Sequence, residues 1–122
     1  KASEAAYTLP QDCVETMRQA FERRRDLIVS LAKEIPGLEV NKPEGAFYLF
    51  PKCSSFFGKT DGQRTINNST DFAMYLLEVG HVATVGGDAF GDPDCFRMSY
   101  ATSDDNIKEA MSRIKNALSL LK

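Results

Sequence analysis

The chain has 122 residues, of which 43 % are hydrophobic and 26 % are charged, and this size and composition suit one globular domain. Its formal net charge of −2 at pH 7 argues against a nucleic-acid-binding surface, which needs a clustered excess of basic residues. No apolar run approaches the roughly 20 residues that span a membrane, and no signal peptide is visible, so neither a membrane protein nor a secreted one is predicted.

The first third of the chain predicts a short helix followed by a long one. Residues 1–8 have the composition of a helix end, and because the chain starts there without methionine, we expect that it was cut from a longer protein. Asp12 and Glu15 have the spacing of a capping box and predict the start of the long helix. Apolar residues then recur at three- and four-residue steps until Pro36, which ends the helix.

The middle of the chain predicts two short strands, a loop and a second helix. The strands are Leu38–Val40 and the β-prone run of residues 45–51, which is bounded by Gly and Pro. Residues 52–68 are polar and contain turn signals, so a long loop is expected there. Ser69 or Thr70 is predicted to cap the second helix, and Gly80 is predicted to take the left-handed conformation that follows its end.

The last third predicts two strands that flank a loop rich in Gly, Asp and Pro. The strands are Val82–Val85 and Cys95–Ala101. Alternation along the second strand places its residues on two faces: Phe96, Met98 and Tyr100 on one, and Cys95, Arg97, Ser99 and Ala101 on the other. A helix capped by Ser103 follows, with an apolar stripe that indicates core packing.

The order of these elements is helix, two strands, helix, two strands, helix. It predicts an α/β (α+β) fold, a two-layer sandwich in which a small mixed or mostly antiparallel sheet of three to four strands carries helices on one face.

Arg97 is the candidate binding residue. It is the one cation inside a strand whose other face is apolar and aromatic, and its guanidinium offers a planar fork of donors that matches a carboxylate. The local pattern alone leaves a second interpretation open, in which Arg97 lies on a solvent-exposed face of the sheet and pairs with an acidic surface residue.

Four motifs carry a resemblance to a known family. They are R-R-D at residues 24–26, P-x-G-A-F-Y at 43–48, V-A-T-V-G-G-D-A-F-G at 82–91 and F-R-M-S-Y-A at 96–101. In this order they resemble the C-terminal small domain of class I/II pyridoxal-phosphate-dependent aminotransferases, and most closely the aspartate aminotransferase branch. One departure is visible, because Gly86 stands where the family usually has proline.

The resemblance implies that residues 1–122 form a single domain, the small C-terminal domain of a larger aminotransferase, with residues 1–8 as the remnant of an interdomain helix. It implies that Arg97 binds the α-carboxylate of the substrate and that Phe47 lies at the substrate side of the active site. A core aromatic in a buried strand is the alternative for Phe47. In the parent the implied reaction is amino transfer between an L-amino acid and a 2-oxo acid, in a cytoplasmic homodimer.

The lysine and the other groups that hold pyridoxal 5'-phosphate belong to the large domain in this family, and no matching motif occurs in this chain. We therefore expect the chain to supply a carboxylate clamp and a domain lid, to hold no cofactor and no catalytic residue, and to be inactive alone. The odd number and wide spacing of Cys13, Cys53 and Cys95 predict reduced thiols, and with His81 as the single histidine no metal site is expected.

Two other classes of protein fit the element order. A free-standing α/β module that binds a small ligand or regulates a partner is permitted by composition and element order, although the start inside a helix and the family motifs argue against it. An RNA-binding α/β domain is disfavoured by the acidic charge balance and by the absence of a strand face that combines basic and aromatic residues.

Overall fold

Four helices and three short strands make up the protein in a computed structural model that describes all residues, Lys1–Lys122. The strands form one antiparallel sheet in the order β1-β3-β2. This arrangement is the two-layer α/β fold that the element order predicts. The elements in chain order are α1 (Ala2–Thr8), α2 (Asp12–Lys33), β1 (Tyr48–Leu49), α3 (Ser69–Glu78), β2 (Val85–Gly86), β3 (Phe96–Ser99) and α4 (Asp104–Leu118), with 3₁₀ turns at Ser54–Phe56 and Gly87–Phe90.

The central strand β3 separates the core from the open face of the sheet. Phe96, Met98 and Tyr100 are buried, whereas Arg97 is half-buried and Ser99 is exposed, so the predicted alternation is confirmed. The buried side chains belong to a single core of 20 residues to which α2, α3 and α4 all contribute, and the helices therefore cover one face. Cys95 is the exception: alternation predicts it on the Arg97 face, but it lies before β3 begins and is buried, where Gly87 packs against its backbone.

Of the three predicted N-terminal helix caps, one is confirmed and two are wrong. Ser103 caps α4 as expected, and its hydroxyl accepts a hydrogen bond from the backbone N–H of Asn106 at 3.2 Å. Asn68, not Ser69 or Thr70, caps α3 by accepting from the N–H of Asp71 at 2.8 Å. The capping box on α2 does not form: Asp12 is already inside the helix and no side chain caps it.

Three details of the loops and strands also differ from the prediction. Gly80 is not left-handed; His81 has the positive φ of 54°, and Gly80 is needed because a Cβ there would lie 2.8 Å from the Leu76 carbonyl oxygen. The strand expected at Leu38–Val40 is reduced to one bridge between Glu39 and Lys52. The strand expected at Val82–Val85 forms only at Val85–Gly86. The strand ends depend on which residues find a hydrogen-bonded partner on a neighbouring segment, and local propensity does not report this.

The segment 52–68, predicted as a loop, is tied to the rest of the domain. Phe56 and Ile66 are buried in the core, and Thr60 exchanges two backbone hydrogen bonds with Lys122, at 3.1 and 3.0 Å. None of the four helices has the length and apolar composition needed to cross a bilayer.

A candidate carboxylate-binding site at Arg97

The register of the sheet places Tyr48 beside Arg97. Tyr48 on β1 pairs with Ser99 on β3, and Arg97 is two residues from Ser99 on the same face. Diagonal neighbours of this kind are within reach of aromatic and long side chains. The central guanidinium carbon of Arg97 lies 4.3 Å from the centre of the Tyr48 ring, within the range of a cation–π contact.

A second ring reaches Arg97 from the 3₁₀ turn that follows β2. The centre of the Phe90 ring lies 4.0 Å from the guanidinium carbon. Phe50 supports this ring from the side in an edge-to-face contact, with centroids 6.2 Å apart and an interplanar angle of 90°. After Phe90 the chain reverses at Gly91, which has a φ of 85°.

Gly87 allows the turn to lie directly on the backbone that leads into β3. A Cβ at Gly87 would be 2.1 Å from the carbonyl oxygen of Asp92 and 2.3 Å from that of Cys95, so no side chain fits. The N–H of Gly87 donates to the hydroxyl of Ser69 at 3.1 Å, and Ser69 is fully buried. The start of α3 and the turn are therefore joined, and this junction determines where Phe90 lies.

Arg97 differs from every other arginine of the chain in having no acidic partner. The chain contains seven arginines, and the other six each have a carboxylate oxygen within 4.0 Å: Arg18, Arg23, Arg24, Arg25, Arg64 and Arg113. The guanidinium of Arg97 makes no ion pair and no hydrogen bond to the protein. Its N–H donors, which in a guanidinium number five, are thus free to bind a ligand.

The two arginines of the R-R-D motif and the preceding Arg23 all pair with acidic side chains of the protein. Arg23 and Arg24 both bind Asp104, at 3.0 and 3.4 Å, and so connect α2 to the start of α4. The hydrogen bond from Arg23 lowers the pKa of Asp104. Arg25 pairs with Asp26 at 3.0 Å, which leaves none of these guanidinium groups free to bind a substrate.

Phe47 lies next to the Arg97 site and contacts it through Tyr48. Its ring is 6.0 Å from Phe21 and 4.6 Å from Tyr48 between centroids, and the residue is 40 % exposed. The rings that contact the guanidinium are those of Tyr48 and Phe90, which were not among the predicted site residues. Alternation on β1 would have indicated Tyr48, but only once the pairing of β1 with β3 was known.

Three other side chains of potentially reactive type, Lys52, Cys53 and Cys95, have pKa values raised by their surroundings. Burial raises the pKa of Cys53 to about 12 and that of Cys95 to about 11, so both stay as thiols, whereas the thiolate is the nucleophile. A hydrogen bond to Asp94 raises the pKa of Lys52, the opposite of what a Schiff-base lysine needs. No group of His, Cys, Asp and Glu side chains could hold a metal ion.

The fold and the site together define an α/β domain with one guanidinium that has no acidic partner and lies among aromatic rings. Comparison with known proteins gives the family. The sequence model of the family described as "Aminotransferase class I and II" matches residues 2–114. The chain belongs to this family, and the resemblance found from its motifs is confirmed.

Individual relatives agree with this assignment. An aspartate aminotransferase of Rhizobium meliloti (strain 1021) is 49 % identical over 117 residues, which are 95 % of this chain and 28 % of the relative. A probable aspartate/prephenate aminotransferase of Rickettsia felis is 50 % identical over 109 residues, or 88 % of this chain and 27 % of the relative. The chain thus spans little more than a quarter of the length of these curated relatives.

Solved structures show the same architecture. The crystal structure of the aspartate aminotransferase from Rhizobium meliloti superposes with a TM-score of 0.94 at 47 % identity, covering 99 % of this chain and 30 % of that one. An alanine aminotransferase from Pyrococcus furiosus superposes with a TM-score of 0.82 at 31 % identity, covering 94 % and 28 %.

Proposed function

We propose that residues 1–122 are the small C-terminal domain of a pyridoxal-phosphate-dependent aminotransferase of the aspartate aminotransferase type, and that Arg97 is its clamp for the α-carboxylate of the substrate. The observation that carries this proposal is that Arg97 alone among the arginines has no carboxylate partner in the protein. A half-buried guanidinium with free donors is suited to take a carboxylate from a ligand in a bidentate contact.

In the parent enzyme this contact orients the substrate. Two parallel N–H···O bonds fix the plane of the carboxylate and, through it, the direction of the bonds at Cα, which is a contribution of positioning and not of proton transfer. Closure of this domain over the bound substrate then excludes water. Phe47, which is exposed beside Tyr48, adds an apolar contact at the same edge.

We propose that the residues of this chain do not form the site for the cofactor. Pyridoxal 5'-phosphate, when bound, supplies the electron sink for amino transfer and needs a lysine of lowered pKa. The lysines here lie at the surface, where several pair with acids: Lys42 with Asp26, Lys52 with Asp94, Lys108 with Asp105 and Lys115 with Glu34. We propose that the rest of the parent holds the cofactor, and that this chain by itself has no transaminase activity.

The names of the relatives suggest the substrates of the parent. Those with about 50 % identity are aspartate or aspartate/prephenate aminotransferases, so we propose L-aspartate as amino donor and a 2-oxo acid as acceptor. The three free cysteines fit a cytoplasmic location, where thiols stay reduced, and the family resemblance favours a homodimer.

The clamp is tested by kinetics of the full-length parent with L-aspartate and 2-oxoglutarate. Arg97→Ala should lower kcat/KM by at least about two orders of magnitude, which corresponds to roughly 3 kcal/mol of transition-state binding. Arg97→Lys should recover only part of this loss, because an ammonium keeps the charge and loses the fork. Arg113→Ala is the matched control, since Arg113 is already paired with Glu109 at 2.8 Å, and its kcat/KM should stay within about twofold of wild type.

A folding measurement separates the clamp from a structural role. Removing the Arg97 side chain opens no core cavity, so Arg97→Ala should change the free energy of unfolding of the 122-residue chain by about 1 kcal/mol or less, the scale of an exposed cation–π contact. If the variant unfolds while the surviving full-length enzyme keeps its efficiency, Arg97 is structural and the clamp assignment is wrong.

The absence of cofactor chemistry in this chain has its own test. Addition of pyridoxal 5'-phosphate to the isolated chain should give no stoichiometric adduct at a single lysine and no turnover of L-aspartate. A defined adduct, located by mass spectrometry after borohydride reduction and accompanied by turnover, would contradict the proposal.

A further inference from the structure

The two rings that contact Arg97 come from opposite sides of its strand. Tyr48 belongs to β1 and Phe90 follows β2, and these strands border β3 on either side. The guanidinium carbon is 4.3 Å from one ring centre and 4.0 Å from the other, so the cation lies between them. We propose that Tyr48 and Phe90 are positioning residues that hold the Arg97 guanidinium ready for the substrate carboxylate; this inference rests on the proposed function.

Aromatic rings can hold the Arg97 guanidinium in place without occupying its hydrogen-bond donors, whereas an acidic side chain would occupy them. A carboxylate beside Arg97 would occupy the same N–H fork that the substrate needs, and it would have to be displaced before each binding event. An aromatic face attracts the cation through its quadrupole and uses none of the N–H donors. The ring contacts therefore restrict the long side chain and leave its hydrogen-bonding edge free, which lowers the ordering cost of binding.

Both rings are themselves held in place by neighbours. Phe50 lies edge-on against Phe90, and the turn that carries Phe90 is anchored by the Gly87 N–H bond to buried Ser69. The Tyr48 ring contacts Phe47 at 4.6 Å between centroids. Support of this kind is what a preorganised binding group requires. Phe90 is 43 % exposed and Tyr48 is half-buried, so replacing either ring leaves no enclosed cavity and the variants proposed below should fold.

The test is a double-mutant cycle in the full-length holoenzyme with L-aspartate as the probe. Phe90→Leu and Tyr48→Leu should each raise KM for L-aspartate about tenfold, the equivalent of a cation–π contact, while kcat changes by less than about threefold. Tyr48→Phe keeps the ring and should restore the KM that Tyr48→Leu loses. In an Arg97→Ala background neither leucine variant should raise KM further, because there is no guanidinium left to position.

The outcomes separate this inference from the clamp itself. If Arg97→Ala impairs the enzyme and the leucine variants have wild-type KM, the clamp stands and the positioning role is wrong. If the leucine variants cost the same factor with and without Arg97, the rings support the fold in general and the inference is again overturned. If Arg97→Ala leaves KM and kcat unchanged, the proposed function fails, and the positioning role fails with it.

Discussion

Replacement of Gly86 by proline, the residue usual in the family, should stabilise this chain. Gly86 has φ −60° and ψ 148°, and proline fixes φ near −65°, so its ring fits the backbone without strain. Its N–H is not needed by the sheet. The N–H of Phe96, the partner of Gly86, bonds to Pro51, so this pair is the non-hydrogen-bonded kind of the β2–β3 ladder.

The magnitude depends on two opposing effects. Proline lowers the conformational entropy of the unfolded chain, which is worth about 0.4–1 kcal/mol where the native backbone permits it. Against this, a Cβ at Gly86 lies 3.1 Å from the carbonyl carbon of Ser69 and from the backbone nitrogen of Thr70, so the start of α3 must move by a few tenths of an ångström. We expect a net gain in the free energy of unfolding of at most about 1 kcal/mol.

Urea melts of three forms of the chain decide the matter: wild type, Gly86→Pro and Gly86→Ala. The alanine variant adds the same Cβ without the ring and reports the contact with α3 separately. If the free energy of unfolding falls by more than about 1 kcal/mol in the proline variant alone, then the proline ring or the loss of the N–H destabilises the chain, and the reasoning from φ and register is refuted. A similar loss in both variants would show that α3 cannot yield to the Cβ.

Three further predictions concern glycine, acid and thiol chemistry. Gly87→Ala should destabilise the chain by about 3 kcal/mol or more in urea melts, because two carbonyl oxygens lie where the Cβ would be. Gly91→Ala, at a residue with a φ of 85° and open space around it, should cost only about 1 kcal/mol, and equal losses would contradict the packing argument. The pKa of Asp104 is lowered from 3.8 in the folded chain, so its stabilising effect is complete above pH 3.8 and is lost as the pH falls through the folded-state value. Asp104→Asn should therefore make stability less dependent on pH below about 4, and Asp105→Asn, whose side chain is 96 % exposed, should not. Iodoacetamide at pH 8 should modify exposed Cys13 in the native chain and reach Cys53 and Cys95 only after unfolding, as counted by mass spectrometry; native modification of Cys53 would disprove its raised pKa of about 12.

Predictions from a local period agreed with the structure within the helix or strand itself, and failed at Cys95, which lies just before β3 begins. The two-residue alternation of β3 placed Phe96, Met98 and Tyr100 in the core and Arg97 outside it, and the helical period of α4 identified its buried stripe. Such periods follow from backbone geometry within one element, and burial then selects the apolar face. The Ser103 cap was predictable for the same reason, since its hydrogen bond spans three residues.

Features that depend on contacts between distant segments needed the tertiary structure. Ser69 was a plausible cap by type, but its hydroxyl is taken by the N–H of Gly87, 18 residues away, and Asn68 caps α3 instead. Four arginines (residues 18, 25, 64 and 113) pair with acids within four residues along the chain, as their spacing allows, but Arg23 and Arg24 pair with distant Asp104. The two rings at Arg97 also come from distant segments, because they depend on the register of β1 against β3 and on the turn after β2. The sequence alone predicted on which face of the sheet Arg97 would lie. That its N–H donors have no partner in the protein is a property of the packed fold, because long-range strand pairing brings aromatic rings and not carboxylates to the guanidinium.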